Sequence, residues 1–351
     1  MKRFTLATLL VLLTTAIANA QSTPTVIRAA RMLDVTSGQI VRNAVVVVQN
    51  GKIAAVNPAT APTGTVIDLG DVTLLPGLID MHTHLNGDPI TRENVYDDVT
   101  KTNVDAAFVA VRNARITLNA GFTTVRDVGS EVTVALGHAV ERGDVVGPHV
   151  FSSRAPLGIT GGHCDYTGYA PGIKEMGPEN GVADGPWEVV QAVRYQIKHG
   201  AQVIKTCATA GVLSMEGPVG AQQYSSEELK AMVDEAARHG IKVAAHAHGT
   251  EGIKAAVRAG VASIEHGSML DDEAIRLMKE RGTYLVPTSY LATRIDLASL
   301  PPVMRKKAET VLPLARESLR KAIAAGVKIA FGTDAAVYPH GENAHEFAVY
   351  V

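Results

Sequence analysis

The sequence has almost no excess of charge of either sign, and it is poor in aromatic residues. Its 351 residues carry a formal net charge of -2, and aromatic residues make up only 5% of them. Neither a cluster of Lys and Arg nor a repeated aromatic platform is present. Binding to nucleic acid or to an anionic membrane surface requires concentrated positive charge. The sequence therefore predicts neither kind of partner.

Long apolar segments are missing after the N-terminus, so no membrane-spanning helix is predicted there. The first twenty residues contain Lys2 and Arg3, an apolar run over residues 6–17, and the small-residue sequence ANA at residues 18–20. This is the three-part pattern of a secretory signal peptide that is cleaved after its small residues. The alternative, an N-terminal membrane anchor, would need a longer apolar run. We therefore expect residues 1–20 to be a signal peptide and the mature protein to be exported, most simply to a bacterial periplasm, without membrane attachment.

Cysteine is also scarce, since Cys164 and Cys207 are the only two. That number excludes a small scaffold held together by several disulfides. Both cysteines lie at predicted strand ends, near other candidate site residues. Export would permit a bridge between them, but the sequence favours two buried thiols.

What remains is the composition of a globular protein with a large core. Hydrophobic residues make up 46% of the chain and charged residues 19%, and a chain of this length forms one barrel or two domains. Residues 25–73 contain β-branched runs, and the QNGK sequence at residues 49–52 is a strong hairpin signal. We therefore predict a small β domain over residues 21–73 and a second domain over residues 74–351.

From Thr73 onward, short apolar runs alternate with amphipathic segments. Ser225 and Glu228 form a capping box at the start of one predicted helix. A glycine recurs where each helix gives way to the next strand, and glycine readily adopts the left-handed conformation that ends a helix. The predicted strands cover residues 73–82, 122–127, 149–154, 202–207, 242–246, 262–266, 283–287 and 328–332. The predicted helix-ending glycines are Gly121, Gly143, Gly200, Gly240, Gly260, Gly282 and Gly326.

Eight strands joined by helices favour an α/β fold, the parallel (β/α)8 TIM barrel. The alternative is a doubly wound open sheet, as in a dinucleotide-binding protein. No Gly-rich phosphate-binding turn follows the first strand, so the barrel is preferred. Its active site would lie at the C-terminal ends of the strands.

Most of the twelve histidines lie near those strand ends. The sequence LLPGLIDMHTHL at residues 74–85 places His82 and His84 on one face of a strand, because strand side chains alternate at period two. Alone, such a pair is either a metal site or two ordinary polar residues at a strand end. The histidines at predicted strand ends are His82, His84, His163, His246, His248, His266, His340 and His345. Solvent-exposed positions are expected for the other four, which are His138, His149, His199 and His239.

Two charged residues share this rim of the predicted barrel. Lys205 lies in the fourth strand, within VIKTCAT, where a single lysine commonly extends to solvent. Asp334 follows the eighth strand, within IAFGTDA, where an aspartate commonly caps a helix. Asp127 and Glu265 also lie near strand ends and are candidates for supporting roles.

Together these motifs resemble the amidohydrolase superfamily, in the subgroup of imidazolonepropionase-like and Xaa-Pro dipeptidase-like enzymes. The resemblance covers the chain after the signal peptide and is carried by LLPGLIDMHTHL, VIKTCATAGVLS, YSSEELKAMVDEAARHG, AAHAHGTEGIKAAVRAGVASIEHGS and FGTDAAVYPHGENAHEF. It implies two divalent metal ions, most commonly zinc. The implied ligands are His82, His84 and Asp334 for one ion, His246 and His266 for the other, and a bridging Lys205 that is carboxylated by CO2.

The resemblance also implies how such a site works. Imidazole and carboxylate are normal zinc ligands, and the metal ions activate a bridging hydroxide and polarise the scissile carbonyl. Asp334 would be the catalytic residue that passes a proton to the leaving amine. In the dipeptidase-like relatives, residues that match His163 and Tyr224 contact the substrate carboxylate. His248 and His340 are further candidates near the substrate, with a hydrogen bond to rim backbone as the alternative for His248 and a place behind the ligands as the alternative for His340.

The reaction predicted from these residues is hydrolysis of an amide or peptide bond in a dipeptide or an N-acyl amino acid. Deaminases of the same superfamily usually keep one metal, lack the bridging lysine and carry a Glu soon after the strand-five histidine. Here His246 is followed by AHG, so that Glu is absent. A dipeptidase or carboxypeptidase-like enzyme is favoured, and the alternative is an N-acyl amino-acid amidase or a mycotoxin amidase of the ochratoxin type. The resemblance also leads us to expect a homo-oligomer.

Relatives of this kind continue for roughly 50–80 residues beyond the position of Val351. We therefore expect the small β domain to be partial and the last barrel helix to be incomplete, in a fragment or in a truncated protein. A function of another class follows from that expectation, namely an inactive remnant that binds metal or another subunit. Two ions per chain with amide hydrolysis would identify the enzyme, whereas ions without turnover would identify the remnant.

Overall fold

A computed structural model of the chain describes residues 23–91, Asn94 and residues 96–351. The predicted signal peptide lies outside these residues. The described chain divides into two compact units, one that ends at Pro76 and one over Gly77–Val351. This division falls close to the boundary predicted between residues 73 and 74.

The first unit is a small sheet whose core contains the buried side chains of Val26, Ala44 and Val46. Its strands are β1 (Thr25–Asp34), β2 (Gln39–Gln49), β3 (Lys52–Val56), β4 (Thr65–Asp68) and β5 (Thr73–Leu74). The strand order is β3-β2-β1-β4, and β5 also pairs with β1. The predicted hairpin is present between β2 and β3, where Gln49 pairs with Lys52. Asn50 and Gly51 both have positive φ angles, as the tightest hairpin turns require.

The second unit is a parallel β/α barrel, as predicted. Its assigned strands are β6 (Leu78–Thr83), β7 (Phe122–Asp127), β8 (His149–Ser152), β9 (Ile204–Cys207), β10 (Val243–Ala247), β11 (Ser263–His266) and β12 (Tyr284–Val286). They form two parallel sheets, in the orders β6-β7-β8 and β9-β10-β11-β12. The amide of Gln202 donates to the carbonyl of Ser152 over 2.9 Å, which links the end of β8 to the segment that leads into β9.

The eighth predicted strand, residues 328–332, is not a regular strand in the structure. Its place between β12 and β6 is nevertheless as predicted. Leu285 donates to the carbonyl of Lys328 over 2.8 Å, and Met81 donates to the carbonyl of Phe331 over 2.9 Å. The ladder is irregular here because Asp334 has a φ of 60° and its amide turns back to the carbonyl of His82, 2.7 Å away. Pairing resumes at an isolated bridge between Thr83 and Ala335.

Helices follow most of the barrel strands and end where the glycines predicted them to end. All seven predicted helix-ending glycines have positive φ angles, between 69° and 102°. The predicted capping box is also present, since Ser225 Oγ accepts from the amide of Glu228 and the Glu228 side chain accepts from the amide of Ser225. The helices are α1 (Asp97–Thr100), α2 (Asn103–Asn119), α3 (Val132–Glu141), α4 (Gly185–Lys198), α5 (Ser226–Arg238), α6 (Thr250–Ala259), α7 (Asp272–Arg281), α8 (Leu291–Arg294) and α9 (Pro302–Ala325), with 3-10 helices at Pro178–Asn180 and Asn343–Val349.

Among the described residues, no helix combines the length and the apolar character needed to cross a bilayer. The largest core cluster packs β9–β12 against the helices outside them, with fully buried Ile204, Met232 and Ile264. A smaller cluster around Leu85, Ala114 and Val125 supports β6 and β7. The four histidines predicted at the surface are all exposed. The predicted metal ligands lie at or near the C-terminal ends of the barrel strands.

Candidate metal centre

The residues predicted to bind metal converge on one cavity of about 580 Å³ at the C-terminal end of the barrel. His82 and His84 come from the end of β6, Lys205 from β9, His246 from β10 and His266 from the end of β11. Asp334 follows the segment that takes the place of the eighth strand. All six side chains line the cavity, namely those of His82, His84, Lys205, His246, His266 and Asp334.

One group of potential ligand atoms surrounds Asp334. Its Oδ1 lies 3.4 Å from Nε2 of His82 and 3.2 Å from Nε2 of His84. The ligand atoms of His82, His266 and Asp334 all lie within 4.8 Å of one another. Nζ of Lys205 lies 3.5 Å from Nε2 of His82 and so adjoins this group. Two imidazoles and a carboxylate are a suitable donor set for zinc.

A second group consists of His246, His248 and His266, whose ligand atoms also lie within 4.8 Å of one another. His266 belongs to both groups, so the two groups are adjacent. His248 was predicted to contact substrate, and the structure places it among the potential ligands. Its Nδ1 lies 2.8 Å from Oγ of Ser268, a hydrogen-bonding distance.

The protonation and burial of these histidines fit a metal ion. Burial, followed by the neighbouring basic side chains, holds the pKa values of His246 and His266 well below the ordinary value. Both imidazoles are therefore neutral at neutral pH, the form that coordinates metals. Nε2 of His246 is buried and has no hydrogen-bond partner among the described residues. A buried polar atom rarely lacks a partner, and a cation bound in this cavity would be a partner for this nitrogen.

The ligand histidines are oriented by side chains behind them. Nδ1 of His82 lies 2.7 Å from Oε2 of Glu265, whose Oε1 accepts from Arg126 over 2.7 Å. Nδ1 of His266 lies 2.7 Å from Oγ1 of Thr288. Such partners fix the ring orientation and leave the opposite nitrogen for a metal. Burial alone would raise the pKa of Glu265, but Arg126 and His82 hold it below its ordinary value, so the carboxylate stays charged.

Asp80 joins the beginning and the end of the barrel behind the ligands. Its Oδ1 accepts from the amides of His82 and Thr333, both over 3.1 Å. Its Oδ2 accepts from Oγ1 of Thr333 over 2.6 Å and from Nδ2 of Asn343 over 2.8 Å. The carboxylate therefore fixes the distance between the segment that carries His82 and the segment that carries Asp334. Burial raises its pKa to about 6.

Two of the potential ligands have unusual backbone conformations. His266 has a φ of 70° and Asp334 a φ of 60°. A residue with a side chain adopts this left-handed conformation at a cost of about 1–3 kcal/mol, and such residues are concentrated at functional sites. The position of the His84 ring requires glycine at residue 129, because a Cβ at Gly129 would collide with the ring.

Lys205 does not extend to solvent, as a single strand lysine commonly would. The residue is only 4% exposed, and its amine points into the ligand cluster. Burial lowers the pKa of Lys205 to about 8, although Glu265 and Asp334 oppose that change. Such an amine loses its proton more readily than an exposed lysine does.

The Glu265 contact gives a first testable expectation. Glu265→Gln keeps the shape of the side chain but removes the charge that holds His82 and Arg126 together. We expect it to weaken metal binding by about ten- to a hundredfold, the usual effect of losing such a partner. Competition with a chromogenic chelator measures the affinity, with Glu280→Gln on the exposed face of α7 as the control. Identical chelator curves for the wild type and Glu265→Gln would contradict this role.

The two cysteines form a disulfide, so the prediction of two buried thiols is wrong. Their Cα atoms lie 5.7 Å apart across a sequence separation of 43 residues. The loop after β8 folds back onto β9, and this brings Cys164 to Cys207. The bridge therefore ties the loop that carries His163 to the strand that carries Lys205.

Removal of this disulfide should destabilise the fold. A bridge that closes a loop of this length contributes about 4 kcal/mol by the chain-entropy relation, so a Cys164→Ser, Cys207→Ser double variant should lose up to that amount of unfolding free energy. Urea denaturation measures the loss. Reductant should lower the wild-type midpoint to that of the variant and leave the variant unchanged. Equal midpoints of the oxidised wild type and the variant would contradict the stabilising role.

Two of the four residues predicted to contact substrate line the cavity, and two do not. His163 and His248 line the cavity. Tyr224 does not, because its side chain is fully buried and its hydroxyl donates to the carbonyl of Ala183 over 3.3 Å. His340 also lies outside the cavity lining, where its Nδ1 is 3.4 Å from Oγ1 of Thr117. Tyr224 is therefore a buried residue outside the cavity lining, and the position of His340 is the alternative that was given for it, behind the ligands.

Two kinds of side chain line the cavity besides the potential ligands. The apolar ones, which we call the apolar wall, include Val212, Leu213, Leu291, Ile295, Val311 and Leu312. The polar and charged ones include Asn103, Glu131, Asp165, Lys174 and Asn180. Sequence analysis identified none of these residues, because a rim loop carries no periodic pattern. Arg126 was also missed, although an arginine inside an apolar strand is a signal that could have indicated it.

Known proteins are similar to this chain in sequence and in fold. The model of the amidohydrolase family matches residues 73–349. An ochratoxinase from Aspergillus niger is 38% identical over 345 residues, which cover 89% of this chain and 69% of that protein. The crystal structure of an Xaa-Pro dipeptidase with bound methionine in its active site has a TM-score of 0.88 and 38% identity, over 93% of this chain and 83% of that chain. The crystal structure of the A. niger ochratoxinase has a TM-score of 0.80 and 34% identity, over 93% of this chain and 79% of that chain.

The family match extends over most of the barrel and includes every residue of the candidate metal centre. The relatives named above are also similar over nearly all of the described chain. This chain therefore belongs to the amidohydrolase family and is a hydrolase that acts on C–N bonds.

Proposed function

We propose that the protein is a binuclear metal-dependent hydrolase that cleaves the amide bond of a dipeptide or of an N-acyl amino acid. The observation that carries this proposal is the convergence of six residues of ligand type on one cavity, where Nε2 of His246 is buried and no described residue forms a hydrogen bond with it. Asp334 and Lys205 both contact His82, and both also interact electrostatically with His266, which belongs to the two histidine groups. A single ion would not need both groups.

In this proposal, His82, His84 and Asp334 hold one ion, and His246 and His266 hold the other. Lys205, carboxylated by CO2, would offer anionic oxygens to both ions, because an unmodified ammonium beside two dications would be repelled. The ions, zinc in the first instance, would lower the pKa of bound water and polarise the scissile carbonyl. His248 remains near the substrate, although its position also permits coordination.

Asp334 has the position and charge of a general base. Burial would raise its pKa, but His82 and His84 hold the pKa well below the ordinary value, so the carboxylate is ionised at neutral pH. It would accept a proton from the attacking water and deliver that proton to the nitrogen of the leaving amine. This transfer lets the C–N bond break with a neutral amine as the leaving group.

The residues around His246 favour amide hydrolysis over deamination. His246, Ala247, His248 and Gly249 follow one another at the end of β10, so no carboxylate stands at the position that a deaminase uses for its catalytic Glu. Lys205 is present and directed into the cluster. Both observations support a site that attacks a carbonyl carbon and expels an amine.

The substrate proposal rests on the residues that line the cavity. The apolar wall suits an acyl group or an apolar side chain, and His163, which also lines the cavity, would contact the carboxylate of the leaving amino acid. The second candidate is an N-acyl amino-acid or mycotoxin amide of the ochratoxin type, which is favoured by the apolar lining residues and by the ochratoxinase relatives. Residues 1–20 further lead us to propose that the enzyme is exported to the periplasm. The expected homo-oligomer stays a prediction.

A paired substrate library tests this function. Each dipeptide and N-acyl amino acid is assayed with its carboxylate free and with it blocked as an amide. Blocking should lower kcat/KM by more than about tenfold, which is the worth of one charge-assisted contact. Equal rates would refute carboxylate recognition. Bound metal without turnover of any amide in the library would support the inactive-remnant alternative instead.

A further inference from the structure

A buried lysine outside the ligand cluster holds one loop of the cavity rim. Lys307 of α9 is only 7% exposed, and its Nζ donates to the carbonyls of Ser214 over 3.0 Å and Glu216 over 2.6 Å. The same amine lies 3.8 Å from Oε2 of Glu216. Residues 211–217 contain no helix or strand. This one side chain therefore fastens an otherwise irregular loop to a long helix.

Glu216 connects the part of the loop that contacts Lys307 with the beginning of the loop at Gly211. Its Oε1 accepts from the amide of Gly211 over 3.0 Å and lies 3.6 Å from Nδ1 of His163. Burial would raise the pKa of Glu216, but hydrogen bonds from His163, Ser214 and the amide of Gly211 lower it to about 2. The carboxylate is therefore charged and closes the loop into a ring between Gly211 and Lys307.

The same loop determines where the His163 ring lies. Nδ1 of His163 is 2.6 Å from Oγ of Ser214. A Cβ at Gly211 would collide with the ring, so the ring rests directly on the loop backbone. The ring also packs against His246, with the ring centroids 4.2 Å apart. His163 is thus held between the loop and the candidate metal centre.

The loop also supplies part of the apolar wall. Val212 and Leu213 line the cavity, together with Leu291 and Ile295. One short segment therefore contributes an apolar surface and also fixes a polar side chain, and both would face the substrate.

We propose that Lys307 and Glu216 are positioning residues that set substrate specificity by fixing the 211–217 loop and, through it, the ring of His163. Neither residue lines the cavity, so both act through the loop and not on the reacting atoms. The substrate contact of His163 rests on the proposed function, whereas the attachment of the loop does not. The loop would select a substrate with an apolar group on one side of the scissile bond and an anionic group on the other.

Steady-state kinetics of the metal-loaded protein tests the effect on specificity. Lys307→Met and Glu216→Gln should each raise KM for the best substrate by about ten- to a hundredfold, the worth of a hydrogen bond to a charged group, while kcat changes less than threefold. Lys307→Arg keeps the charge and should restore much of the KM. Lys306→Met changes the exposed neighbour on α9 and should match the wild type. The KM of the double variant should not exceed the KM of the more impaired single variant, because both residues act through one loop. Unchanged KM values, or additive effects in the double variant, would overturn the proposal.

Hydrogen exchange provides a measurement that does not depend on catalysis. In Lys307→Met, the amides of residues 211–217 should exchange at least about tenfold faster, while those of β10 and β11 keep their wild-type protection. Lys306→Met should leave all of these rates unchanged. Equal exchange of the loop in both variants would refute the attachment even if no substrate has been found. Faster exchange without any amide turnover in the wild type would instead locate the failure in the proposed function.

Discussion

Asp334→Asn is expected to lower kcat by roughly a hundred- to ten-thousandfold, the usual worth of general acid-base catalysis. The asparagine keeps the size of the side chain and one oxygen that can reach a metal ion. It cannot accept a proton at neutral pH, whereas Asp334 is held in its ionised form by His82 and His84. The variant should therefore retain much of its metal and bind substrate with a nearly unchanged KM.

Single-turnover kinetics and elemental analysis of the same preparation check this expectation. Asp296→Asn alters an exposed carboxylate outside the metal centre and should behave as the wild type. Full activity of Asp334→Asn would remove Asp334 from the mechanism. A loss of both metal ions together with activity would show that its role is coordination alone.

Lys205→Ala should have the second large effect. The side chain is buried, and its Nζ lies 3.5 Å from Nε2 of His82 in the first group of potential ligands. Its loss should reduce the metal content from two ions per chain to one or fewer. It should lower kcat by more than about a hundredfold, since a bridging ligand should matter more than an outer partner.

Three comparisons separate the possible roles of Lys205. Short carboxylates such as acetate should restore part of the activity of Lys205→Ala, because they can occupy the place of the carbamate. Lys205→Arg keeps a positive charge but cannot be carboxylated, so it should be as inactive as the alanine variant. Lys242→Ala removes an exposed lysine just before β10 and serves as the control. Two tightly bound ions in fully active Lys205→Ala would contradict the bridging role.

The proximity of the candidate ligands could be predicted from strand geometry, whereas their roles as ligands came from the family resemblance. Successive side chains of a strand point to opposite faces. His82 and His84 are separated by one residue, so they point to the same face wherever that strand lies. The ends of parallel strands meet at one rim of a barrel. Polar residues at several predicted strand ends therefore had to lie close together, and Lys205 and Asp334 do so.

The residues of the loops could not be placed in this way. Tyr224 stands just before α5, and the sequence does not show that its ring turns into the core. The separation of 43 residues between Cys164 and Cys207 gives no sign that their Cα atoms come within 5.7 Å. The Lys307 contacts depend on the path of an irregular loop and are equally invisible to a periodic pattern. In each case, the tertiary path of the chain decides the contact.

The hydrogen bonds from Thr333 to Asp80 join residues 253 positions apart in the sequence. A contact of such high sequence separation forms late, because the loop-closure entropy has to be overcome first. During synthesis, the ribosome releases His82 long before it releases Asp334, and the earlier segments begin to collapse in the meantime. A nascent chain can present the first two imidazoles, but the full set of ligands exists only after residues up to Asp334 have emerged and the ring has closed. Stable capture of metal would thus report that folding is complete, and partly made chains would release any ion that they had picked up.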